Sequence, residues 1–106
     1  MKRLTKTTNP AIAELFRLSP EDLGEPVRVQ GGEKRARGNV LHVVSGGRYK
    51  LFTEGVDYVK ILSLSGKGFI KWARGELPLS EGDIVAAEQP GEYEINGLCT
   101  FTAIRK

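Results

Sequence analysis

The chain has 106 residues and a net charge of +3, with 40% hydrophobic and 27% charged residues, the size and composition of one domain that can build a core without covalent staples. Its single cysteine, Cys99, excludes an internal disulfide framework and a cysteine-based metal cluster, and it makes a reducing compartment, the cytoplasm, the expected location. The basic start MKRLTKTTNP is followed by no apolar stretch, so no secretory signal is expected, and no apolar run approaches the ~18 residues that a membrane helix needs.

Residues 9–18, NPAIAELFRL, predict a helix. Asn9 suits the cap and Pro10 the first helical position, and Ile12, Leu15, Phe16 and Leu18 fall on one face. SPEDLG follows as a second helical turn, with Ser19 as its cap and Gly24 as its stop. Residues 1–24 therefore read as an N-terminal helical arm. Its apolar face must be covered by the body of the domain or by a partner subunit.

From residue 25 to 106 the pattern changes to short β-branched and aromatic runs between Gly-rich breaks. Strands are expected at 26–30, 39–45, 48–52, 57–65, 69–73, 83–89, 92–95 and 98–105, with turns at 46–47, 66–68 and 96–97. LPLSEG (77–82) reads as a further turn, and EKRAR (33–37) as a basic loop. Such close, regular spacing predicts a single all-β barrel or sandwich. Charge is uneven: the first 53 residues carry +5 and the rest −2. EKRAR has no aromatic residues interleaved with it, so a nucleic-acid groove is not the expected reading.

The stretch from Gly46 to Lys106 resembles the cupin superfamily of small jelly-roll barrels. SEGDIVAAEQPGEYEING is similar to the second cupin motif. GEYEING followed by CTFTAI is similar to the end of the C-terminal barrel of type I phosphomannose isomerases. The resemblance implies an all-β, cupin-like jelly-roll barrel with a short N-terminal helical segment. The residues standing at the family's metal-ligand positions are Phe52 and Glu54 for the two histidines, Val59 for the glutamate and Tyr93 for the second motif's histidine. A transition metal needs three or four converging N, O or S donors, so neither a metal nor another cofactor is expected. The same mapping places Phe52, Glu54, Val59, Ile61 and Tyr93 in the barrel lumen. His42, the only histidine, is expected to hydrogen-bond inside the barrel as a structural or ligand-facing residue.

No Ser/His/Asp or Cys/His set can be argued, so no catalytic residue is assigned. The expected function is binding of a small molecule, a carbohydrate or sugar phosphate, by a metal-free barrel. In the isomerases the zinc and acid–base chemistry lie outside this type of barrel, so the likeness carries no activity with it. Two alternatives stand beside this reading. One is a small metal-independent isomerase, epimerase or lyase acting on a sugar derivative, with Glu54, Tyr93 or His42 as acid or base. The other is an interaction or nucleic-acid module using residues 33–37. A homodimer is expected from the apolar helix face and the sheet edges, with the runs 39–45 and 57–64 as interface. Trp72 is expected against the N-terminal helix or a second subunit. Asp83 is expected to bond turn backbone.

Overall fold

The computed structural model describes residues 3–106, so the first two residues of the basic start lie outside the described residues. In chain order the elements are β1 (Leu4–Thr7), α1 (Pro10–Glu14), a 3-10 helix (Pro20–Leu23), β2 (Val27–Val29), β3 (Gly32–Arg37), β4 (Val40–Thr53), β5 (Asp57–Trp72), β6 (Gly75–Leu79), β7 (Ile84–Ala87) and β8 (Gly91–Arg105). All the strands pair antiparallel in one sheet, in the order β1-β7-β5-β8-β4-β3-β2, with β6 on the far half of β5. β8 is the central strand, flanked along its length by β4 and β5.

The sheet curls on itself. Leu4 of β1, Val43 and Leu51 of β4, Ile61 and Ile70 of β5, Leu79 of β6, Val85 of β7 and Phe101 of β8 meet in one core. Burying each such side chain contributes about 1.5–3 kcal/mol relative to leaving it in water. Tyr49 meets Phe101 edge to face, with ring centroids 5.8 Å apart. The expected all-β barrel class is what the chain adopts.

Much of what the sequence suggests as turns is strand. Gly46-Gly47, Gly66-Lys67-Gly68 and Asn96-Gly97 sit inside three continuous strands of 14, 16 and 15 residues. Gly47 pairs with Gly97, and a Cβ on Gly97 would lie 3.1 Å from the Cα of Gly68. These glycines allow three long strands to approach closely where the sheet bends, and the β5–β8 register shifts between Ser65 and Phe69. EKRAR is no loop but lies within β3, paired with β4. LPL of the expected LPLSEG turn belongs to β6. Asp83 does bond turn backbone: its Oδ2 accepts from the Ser80 N–H at 2.8 Å and faces Lys6 Nζ at 2.9 Å.

The first 24 residues contain a strand as well as helix. β1 pairs with β7, and Leu4 enters the main core. Helix α1 has five residues, begins at Pro10 and is capped by Asn9, whose Oδ1 accepts from the Ala11 N–H at 2.9 Å. Phe16 turns down with Ile12, Ala13 and Leu18 onto Tyr58, Ile84, Ala86 and Ile104 on the outer face of the sheet, while Leu15 stays exposed. Trp72 packs against the main core, not against this helix.

Candidate functional site

Alternation along β4 buries Val43, Leu51 and Thr53 on the concave side. Lys34 and Ala36 of β3 pair with Val43 and Leu41 and lie on that same side. The start of β5 brings Asp57, and the end of β8 brings Ala103 and Arg105, whose register places Asp57 opposite Arg105. At this end of the barrel the strands enclose a cavity of about 240 Å³. Its apolar wall is formed by Ala36, Leu41, Leu51 and Ala103, and its polar groups come from Lys34, Asn39, Asp57 and Arg105.

Asp57 is only 1% exposed. A carboxylate buried to that degree needs a partner for each oxygen. The Tyr93 hydroxyl donates to Oδ2 at 2.6 Å, and Arg105 Nε donates to Oδ1 at 3.2 Å. Arg105 Nη2 also donates to the Phe52 carbonyl at 2.7 Å. The Arg105 main chain is held as well. Its N–H donates to the Asn39 carbonyl, and the Asn39 side-chain amide donates to the Arg105 carbonyl, both at 2.8 Å. Burial above all, then the charge of Asp57 and the hydrogen bond to it, push the Tyr93 phenol well above its ordinary value of 10. Tyr93 is therefore a fixed hydrogen-bond donor, not a proton-transfer group at neutral pH.

Of the six lumen residues expected from the sequence, Val59, Ile61 and Tyr93 face the core. Phe52 does not: it is 55% exposed, and Glu54 is exposed too, because Leu51 and Thr53 take the inward positions. His42 is also misplaced by the expectation. Its neighbour Val43 points into the core, so His42 lies on the outer face. There its Nδ1 and Thr102 Oγ1 are 3.1 Å apart, and it shares a cleft with Pro20, Glu21 and Arg35. Burial first, then the Arg35 charge, lower its pKa below the ordinary 6.5. Glu54 is thus exposed, Tyr93 is buried in the core against Asp57, and His42 sits in a cleft on the outer face. Arg35 Nη1 donates to the Gly24 carbonyl at 3.4 Å and Arg37 Nη1 to the Asp22 carbonyl at 3.0 Å, so two of the three basic residues of the run tie down the 3-10 helix and its C-terminal cap.

Lys34, Asp57 and Arg105 are the site residues that sequence reasoning passed over. A signal for two of them exists: Asp57 alternates with Val59 and Ile61, and Arg105 with Phe101 and Ala103. Charged residues in phase with a core-facing set belong at a barrel end. Among the described residues no three His, Cys, Asp or Glu side chains come together in a way that would hold a metal ion. At the positions that resemble the family's ligands, Phe52 and Glu54 face outward, Val59 offers no donor, and the Tyr93 hydroxyl is engaged by Asp57. This donor set does not fit a transition metal.

Solved structures share the architecture, two of them as follows. The mannose 6-phosphate isomerase from Bacillus subtilis matches with a TM-score of 0.58 and 19% identity, over 74% of this chain and 27% of that one. A targeted domain of a protein of unknown function from Vibrio parahaemolyticus matches with a TM-score of 0.59 and 14% identity, over 76% of this chain and 95% of that one. The chain spans about a quarter of the length of the isomerase that it matches. No protein-family model matches the sequence, and no curated protein matches it. The fold is an all-β, cupin-like jelly-roll barrel with a short N-terminal helical segment, similar to the barrel of a phosphomannose isomerase. Among the described residues no helix is long and apolar enough to cross a membrane.

Proposed function

We propose that the protein binds a small molecule, a carbohydrate or sugar phosphate, in the mouth of its barrel, without a metal and without a catalytic residue of its own. The observation that carries this reading is the cavity itself, apolar on its walls and polar at Lys34, Asn39 and Arg105. Small-molecule sites have this composition: apolar surface with a few fixed polar groups. Its volume of about 240 Å³ falls below the roughly 300–1,000 Å³ of drug-sized pockets, which suits a molecule of monosaccharide size. The likeness to a mannose 6-phosphate isomerase favours the carbohydrate class. Calorimetric titration with neutral monosaccharides, sugar phosphates and longer oligosaccharides tests it. Binding confined to the single-sugar compounds is expected. A folded protein that gives no heat with any of them removes the proposal.

In the same reading the protein works in the cytoplasm as a homodimer. Support for the dimer comes from the outer face, where Val44 and Leu98 are 50% and 56% exposed and line one shallow groove. Sedimentation at micromolar concentration should give twice the chain mass of 11.6 kDa. A single-chain mass would contradict the dimer and leave the binding site untouched.

A further inference from the structure

The barrel mouth holds more positive charge than its one carboxylate neutralises. Lys34 and Arg105 both line the cavity, against Asp57 alone. Lys34 is half-buried, and its ammonium has neither an ion pair nor a hydrogen bond among the described residues. Arg105 is held by Asp57 through Nε and by the Phe52 carbonyl through Nη2, while its Nη1 group carries no bond among the described residues. A guanidinium fixed on one edge presents its remaining N–H groups at low entropic cost, in the geometry that matches an oxyanion. A concave site with low-dielectric walls strengthens the pull of such charges on an anion.

We infer that the ligand carries an oxyanion, a phosphate or a carboxylate, on a body of monosaccharide size, and that Lys34 and Arg105 grip that anion. The inference rests on the binding site proposed above. Asp57 and Tyr93 act here as positioning residues. Asp57 is too enclosed to meet the ligand broadly; it orients Arg105, and the Tyr93 hydroxyl fixes Asp57 in turn. Neutral sugars engage the same apolar wall without this grip.

The test compares a hexose 6-phosphate, a hexuronate, the neutral hexose and inorganic phosphate, titrated into the full chain by calorimetry at two salt concentrations. Either charged sugar should bind about tenfold or more tightly than the neutral hexose, with an affinity that falls as salt rises. Whichever of the two binds tighter identifies the anion as phosphate or carboxylate. Lys34→Ala should erase most of that preference. Arg105→Lys, which keeps the charge and loses the fork, should weaken it. Tyr93→Phe should lower the charged-to-neutral ratio, a readout that a merely structural role would not move. Lys50→Ala, on the outer face, should leave every affinity unchanged. Equal binding of charged and neutral sugars, unaltered by Lys34→Ala, would overturn the oxyanion grip and leave small-molecule binding in place. No binding of any probe to the folded protein would overturn both.

Discussion

A carboxylate as enclosed as that of Asp57 persists because each of its oxygens has a donor, Tyr93 on one side and Arg105 on the other. Removing one donor leaves the charge short of a partner. Tyr93→Phe is therefore expected to lower stability by about 1–3 kcal/mol in chemical denaturation, although the ring itself stays buried. A loss under about 0.5 kcal/mol would mean that the hydroxyl does not hold Asp57. His42 carries a different expectation. Its folded pKa lies below 6.5, because burial and the Arg35 charge disfavour the imidazolium. The unfolded chain then takes up this proton more readily than the folded one. The contribution of the site is present in full above pH 6.5 and is lost as the pH falls from there through the folded pKa. Melting temperatures measured from about pH 8 to pH 5 should fall less in His42→Gln than in the wild type; parallel slopes would contradict this. At this scale the sequence puts His42 inside the barrel, as a structural or ligand-facing residue, whereas it lies on the outer face. Val40, His42 and Val44 alternate as plausibly as Leu41, Val43 and Ser45, since the arm makes the outer face partly apolar too.

The strands tell a related story. Glycine pairs flanked by β-branched runs predict hairpin turns, and here they mark bends within strands. Local composition does not separate the two cases, because both need a residue without a Cβ; only the pairing of Gly47 with Gly97, beside Gly68, shows which applies. Gly97→Ala tests this bend. With φ at +129° and the Gly68 Cα 3.1 Å from the new methyl, the substitution should cost well over ~1 kcal/mol in denaturant midpoints. Gly38→Asn should cost far less, since its φ of +59° is one that asparagine adopts and nothing lies within 4 Å of a Cβ there. Equal losses would contradict the bend as the reason for Gly97. β1 and β3 carry no strand signature in the sequence for other reasons. LTKT is too short to show a period, and the charges of EKRAR alternate between the cavity (Lys34) and the 3-10 helix (Arg35, Arg37), which reads as a solvated loop until the sheet is known.

Over the whole molecule, the barrel class and the core-facing phase of β5 and β8 are legible, because Lys60 separates Val59 from Ile61 and Glu94 separates Tyr93 from Ile95. The cavity was not legible, because it forms where Lys34, Asp57 and Arg105, distant in sequence, meet at one barrel end. The most direct measurement is an amide NMR titration of the full chain with a hexose 6-phosphate. Binding at the mouth predicts saturable shifts concentrated at residues 34–41, at Leu51 and Asp57, and at 103–105, with the outer face around Val44 and Leu98 unmoved. Shifts confined to other surfaces, or none at millimolar ligand, would contradict it.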